Sequence, residues 1–259
     1  MTEIIAIANQ KGGVGKSTTA DALAWGLATF MGRRVLLIDL DQQTNLTLFT
    51  GADTAQPTIY DVITGRTEIQ KSVQKLSDKV HFIAASGNLA FIDKELSNAG
   101  KDKRLKIALE PIAGNYDYIV IDTPPALNIV TINALTAAQR LIIPAQADIA
   151  SLQGIGQIYA DVMDIQKFSN PTLRLAGILL TRYNGRNIIT RDMTVNAQKT
   201  AERVGTFVYT AVIRECVVFK EAQAVQKPIY EKDPTSIGCL DYRSFVTEFT
   251  DFLKKRGNK

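Results

Sequence analysis

Hydrophobic and polar positions along the chain switch between two periods. Short apolar runs rich in β-branched residues recur at 3–8, 35–39, 80–84, 118–122, 140–144 and 173–181. Continuous apolar runs of that length suit strands buried on both faces of a parallel sheet. Between them, residues 20–31 carry Leu23, Leu27 and Phe30 at helical spacing, closed by Gly32, and 130–138 and 152–168 also read as helices. Residues 57–66 predict a short helix, and 88–112 predict helical material broken by a charged turn at 100–104. That charge run is most simply a solvated corner. A final helix carries Phe245, Phe249, Phe252 and Leu253. Strands alternating with helices predict the α/β class: a mostly parallel, doubly wound sheet flanked by helices, with right-handed crossovers.

Composition narrows the picture without deciding it. With 259 residues and 46% hydrophobic content, one α/β domain spanning 1–259 is expected. Thirty Lys and Arg against 26 Asp and Glu give a net charge of +4, compatible with a polyanionic partner but shared by many enzymes. Cys216 and Cys239 have no metal-like or redox-motif spacing, which fits a reduced, cytoplasmic protein. His81 is the single histidine and has no second one to build a metal site with, so a structural role is expected. No run approaches a membrane span, and no internal repeat is visible.

The chemistry concentrates at strand ends. After the first strand comes Asn9-Gln10-Lys11-Gly12-Gly13-Val14-Gly15-Lys16-Ser17-Thr18, which leads into a helix. Glycines let successive N–H groups turn toward an anion while the helix N-terminus faces the same point. In such a phosphate loop Lys16 meets the β/γ-phosphates and the Ser17 hydroxyl reaches Mg²⁺. The usual first glycine is replaced by Gln10, and a further lysine, Lys11, stands beside the phosphates. A glycine-rich turn with incidental lysines is the blander alternative, and the strand–loop–helix context disfavours it. Two more apolar strands end in acids, in Asp39-Leu40-Asp41 and Asp122-Thr123-Pro124-Pro125. Ligands of such sheets bind at the carboxyl ends of the strands, so these acids should face the same site. Asp122 has the arrangement of a Walker B acid that holds a metal-bound water.

With its extra lysine, the loop resembles the deviant Walker A motif of the ParA and MinD ATPases. The resemblance runs from residue 3 to about 253. It includes Asp39-Leu40-Asp41-Gln42-Gln43-Thr44-Asn45, where Gln42 and Thr44 replace the family's proline and glycine, and the Lys220–Ile229 stretch resembling E-A-x-x-x-x-K-P-I. It implies ATP and Mg²⁺ as cofactors and an ATP-sandwich homodimer in which Lys11 reaches the partner's nucleotide. Catalysis would then rest on Lys11, Lys16 and Asp41, with Asp41 positioning the attacking water. The nucleotide would be bound by Lys11, Gly12, Gly13, Val14, Gly15, Lys16, Ser17 and Thr18, with Mg²⁺ held by Ser17, Asp39 and Asp122. A switch would span 124–128. Adenine contacts fall on Thr181, Arg182, Ile213 and Arg214, the last two in a return loop at 212–215.

The same resemblance implies slow, partner-stimulated ATP hydrolysis, a ParB-like centromere-binding partner and nonspecific binding to double-stranded DNA. Arg186 matches one basic DNA-contacting position, while a second falls on Val218. Arg214, Lys220, Arg191, Lys199, Arg203 and the Lys254-Lys255-Arg256 cluster are available to compensate, each also readable as solvated surface charge. A MinD-like membrane role is the alternative, because a basic amphipathic tail could lie on anionic lipid. Packing of that apolar stripe onto the domain is the commoner fate, which makes membrane binding the weaker expectation. A nitrogenase-type iron protein would need mid-chain cysteines, and both cysteines lie in the last fifth.

Overall fold

The computed structural model describes residues 2–96 and 100–257, with side chains through Lys255 in the last helix; Arg256 of the basic cluster lies outside the described side chains. The described strands are β1 (Glu3–Ile7), β2 (Val35–Asp39), β3 (Gln74–Lys75), β4 (Val80–Ile83), β5 (Tyr118–Asp122), β6 (Arg140–Ala145), β7 (Arg174–Tyr183) and β8 (Val208–Arg214). They form one sheet in the order β3-β4-β2-β5-β1-β6-β7-β8. All pairs are parallel except β3–β4 at one edge. The helices are α1 (Lys16–Met31), α2 (Asn45–Thr50), α3 (Ile59–Ile63), α4 (Ile92–Glu95), α5 (Arg104–Ala113), α6 (Ile129–Ala137), α7 (Ile149–Phe168), α8 (Ile188–Arg203), α9 (Val218–Ala224), α10 (Ile229–Lys232) and α11 (Ile237–Gly257).

Strand period two splits the core into two layers. Ile4 and Ala6 of β1 pack with α5, α6 and α7, whereas Ile5 and Ile7 pack with α1 and α11. Tyr242, Phe245, Val246 and Phe249 of α11 are almost wholly buried in the second layer, with Phe252 and Leu253 half-buried against it. The C-terminal apolar stripe is thus core, and no helix of the described residues is long and apolar enough to cross a membrane. The expected return loop at 212–215 is a correction: Val208–Arg214 is an edge strand paired with β7, and only Glu215 lies beyond it. Edge pairing with β7 and packing against α11 hold these residues extended, although their burial is too uneven for a clean period-two signal. Helix α8, which the hydrophobic pattern did not reveal, buries only Ala197 and Ala201.

Candidate functional site

The sheet order sets three strand ends side by side. Register pairs Ile7 with Asp122 and Asp39 with Asp122, so the loop after β1 and the acids ending β2 and β5 meet at one carboxyl edge. The 8–15 loop curls in front of α1. Gly13 and Gly15 have φ of 74° and 81°, a backbone region cheap only for glycine. A Cβ at Gly12 or Gly13 would meet nothing within 4 Å, which leaves open space where an anion would sit. Helix α1 starts with no side-chain cap and no acid in its first turn, so its leading N–H groups stay available at this point.

Lys16 is buried, and its Nζ donates to the Lys11 carbonyl at 3.2 Å. Burial lowers its pKa, against the opposing pull of Asp122 and Asp41. Asp122 is fully buried, and neither carboxylate oxygen has a hydrogen-bond partner. Its pKa is raised, first by burial and then by the Asp39 charge; Ser17 and Lys16 offset part of the rise, Ser17 without meeting hydrogen-bond geometry. An unpartnered buried carboxylate beside a serine hydroxyl is the donor chemistry that a hard cation such as Mg²⁺ takes up, so the residues fit the group the fold implies. Asp39 differs, because both its oxygens are used. It accepts from the Asp41 N–H at 2.9 Å and from the Thr47 N–H and hydroxyl at 2.9 and 2.8 Å. Burial still pushes its pKa up to about 6. Asp41 lies at the mouth and accepts from the Gln43 N–H at 3.0 Å.

A cleft of about 620 Å³ opens from this point. It brings together Gly12, Gly13, Gly15, Lys16, Ser17 and Thr18 with Asp41, Thr181, Arg182, Ile213, Arg214 and Lys220. Four of the residues expected to bind nucleotide or metal do not line it: Lys11, Val14, Asp39 and Asp122. Val14 is buried and offers its carbonyl to the Thr181 hydroxyl at 2.8 Å, so Thr181 fastens the loop to β7. Lys11 turns aside, with its Nζ 2.6 Å from Asp148 Oδ2 and 3.3 Å from Ser151 Oγ. The Arg182 guanidinium pairs with Glu215 at 3.1 Å, and Arg214 makes a forked contact to Asp241 at 2.9 and 2.5 Å. Arg186 is exposed outside the cleft, and Val218 is buried at the start of α9, where a basic side chain would have no solvent.

Several site residues escaped the sequence reading. Asn9 accepts from the Lys11 N–H at 3.0 Å and donates to the Pro144 carbonyl at 2.7 Å, bracing the loop against β6. Phe49, Phe219 and Tyr242 wall the cleft from three separate helices. Asp148 had a local signal, since Asp148-Ile149-Ala150-Ser151 reads as a helix N-cap, and its side chain does accept from the Ser151 N–H at 2.8 Å. Nothing local announced its pairing with Lys11.

A parallel sheet carrying a glycine loop, an uncapped helix start and a buried Walker B acid at its carboxyl edge defines a P-loop nucleoside triphosphatase fold. A family model described as an AAA domain matches residues 2–175. The sporulation initiation inhibitor protein Soj of Bacillus subtilis is 37% identical over 252 residues, covering 96% of this chain and 98% of that protein. The chromosome partitioning protein ParA of Caulobacter vibrioides is 37% identical over 251 residues, covering 95% and 92%. The crystal structure of cobyrinic acid a,c-diamide synthase from Mycobacterium smegmatis with bound ATP analogue and magnesium superposes with a TM-score of 0.85 at 32% identity, covering 98% of this chain and 96% of that one. The chain belongs to the ParA/Soj/MinD family of partition ATPases.

Proposed function

We propose that this protein is a slow ATPase that binds ATP and Mg²⁺ at the 8–18 loop, pairs with a second copy around the nucleotide, and holds DNA nonspecifically in that state. The observation that carries the reading is the unpartnered Asp122 carboxylate beside Ser17 and Lys16, facing a glycine loop with open space in front of it. Gly12, Gly13 and Gly15 present backbone N–H groups to the phosphates, and Lys16 neutralises charge there. Mg²⁺, when bound, neutralises charge developing on the β/γ-phosphates. Ser17 and Asp122 would hold it, with Asp39 supporting from behind while it fixes Asp41 and α2 through Thr47. Asp41, at the mouth, orients the attacking water. Thr181, Arg182, Ile213 and Arg214 flank the cleft on the β7–β8 side, where the base would lie.

Lys11 is the residue that would cross to the partner's nucleotide, which requires it to leave Asp148. Hydrolysis ends the paired state, and the partner that hastens it is a ParB-like centromere-binding protein. This reading is supported by the named relatives and by the two acids that end β2 and β5 beside the loop. Arg186, Lys220 and, once freed from Asp241, Arg214 would meet DNA phosphates, so retention on duplex DNA should fall steeply between low and physiological salt. The burial of Phe245 and Phe249 counts against the MinD-like membrane alternative, because the apolar stripe it would need is already used.

Lys11→Ala is expected to bind ATP as a monomer yet remain single in light scattering with a nonhydrolysable analogue; a dimer surviving that change removes the bridging role. Asp41→Ala is expected to dimerise and stay on DNA with turnover down by about 100-fold or more, the size of a lost positioning group. Unchanged phosphate release would take Asp41 out of catalysis.

A further inference from the structure

Asp21, in the second turn of α1, is an acid that the phosphate chemistry leaves unused. It stands three residues after Thr18 and four before Trp25, so the three share one face of the helix. That face closes a cavity of about 30 Å³ whose other walls include Phe49 of α2 and Phe219 and Gln223 of α9. Asp21 accepts a hydrogen bond from the Trp25 side chain, and among the described residues no ion pair joins it to a lysine or arginine. Lys227 lines the same cavity but is exposed. Burial pushes the Asp21 carboxyl up to about 7, with the Trp25 bond offsetting part of the rise. Tyr230 of α10 and Tyr242 of α11, their own hydroxyls raised by burial, stay neutral beside it.

We propose that this cavity binds one compact monovalent cation of the ammonium type, held by the Asp21 carboxylate among the rings of Trp25, Phe49 and Phe219. An acid with no cationic partner, set among aromatic rings, is the combination that attracts such a charge. Gln223 and Gln226 each spend a side-chain N–H on the wall, on the Thr18 hydroxyl at 3.5 Å and the Leu48 carbonyl at 3.0 Å. Each keeps an amide oxygen as an acceptor. Size narrows the ligand further. A space near 30 Å³ admits about one water-sized group, so potassium, ammonium or the tip of a lysine fits and a quaternary ammonium does not. The site is distinct from the Mg²⁺ position at Ser17 and Asp122, yet Thr18, Phe49, Phe219 and Gln223 also line the nucleotide cleft. A bound cation therefore braces the wall that the two spaces share.

Trp25 is the single tryptophan of the chain, so its emission reports on this cavity directly. The full chain, without nucleotide or Mg²⁺ and at about pH 8, where the Asp21 carboxyl is ionised, is titrated with ammonium, potassium or n-butylammonium chloride. Each replaces tetramethylammonium chloride at constant ionic strength, and thermal melts are run on the same samples. At least one of the three cations is expected to change the emission saturably and raise the melting temperature. Asp21→Asn is expected to raise the half-saturating concentration by at least about tenfold while melting no lower than the parent in tetramethylammonium. Asp93→Asn, exposed on α4, should respond as the parent does. Saturation by ammonium or potassium supports the site with a free ion as its ligand; saturation by butylammonium alone supports it with a partner's lysine as the source. Emission and melting unchanged by all three cations overturn the proposal. So does an Asp21→Asn variant that responds with the parent's affinity, because the cation then binds elsewhere.

Discussion

Asp122 and Asp39 face each other across β2 and β5, and the fold keeps both away from water. Burial is the first cause of both raised pKa values, with Asp39 pushed up to about 6. Because these carboxyls hold protons more tightly folded than unfolded, stability falls as pH rises through the window from about 4 to 6 and above. In EDTA without nucleotide, the protein is expected to resist urea better at pH 5.5 than at 7.5, by on the order of 1–3 kcal/mol. Lower stability at pH 5.5 would contradict the placement of the pair. Affinity for Mg²⁺-nucleotide should move the other way, since a cation needs the ionised carboxylate. Asp122→Asn should accordingly lose Mg²⁺-dependent affinity while melting no lower than the parent. Thr44 supplies a further test. It stands where the family pattern has glycine, and it keeps a left-handed φ of 56° despite its branched Cβ. Thr44→Gly is expected to stabilise the fold by about 1 kcal/mol in thermal melts, the size of the strain it relieves.

At the scale of elements, the loop after β1 is held by neighbours distant in sequence. Thr181 of β7 donates to the Val14 carbonyl and, at 3.3 Å, to that of Ala145; Asn9 ties the same loop to β6. Thr181→Val keeps the shape and removes the donor, so it should cost about 1–2 kcal/mol in denaturant melts and weaken nucleotide binding. Nucleotide affinity equal to the parent's would show that the loop does not need this tether. Helix α2 is tied differently. Thr47 bonds Asp39 and also accepts from the Ala85 N–H at 2.9 Å, so the helix after β2 is locked to the strand end beside it. A change at Asp39 would therefore reach Phe49 and the cleft wall through α2.

On the scale of the whole molecule, α11 closes the second core layer, with aromatic contacts running from Tyr209 through Phe245 to Tyr242 and Phe249. Phe249→Ala is expected to cost about 3–5 kcal/mol, measured in urea, as other buried aromatic truncations do. The same change should leave vesicle binding as it was, because the ring is already enclosed. Hydrophobic period also explains why α8 and β8 were missed. Helix α8 buries two alanines and leaves Ile188 and Ile189 outside, and β8 mixes buried, half-buried and exposed residues, so neither shows the contrast on which a pattern depends.

The sequence by itself determined the α/β class, the central parallel strands and the identity of the loop and acid motifs. Those signals are local: apolar runs, glycines at a turn, carboxylates ending strands. Only the tertiary structure decided that Asp39 is saturated while Asp122 is not, that Lys11 is held by Asp148, and that Thr181 anchors the loop instead of merely lining the cleft. Each depends on groups separated by many residues in the chain and joined by strand order. No local pattern encodes which of two buried carboxylates finds a partner, because that is settled by what the neighbouring strand and helix bring to it.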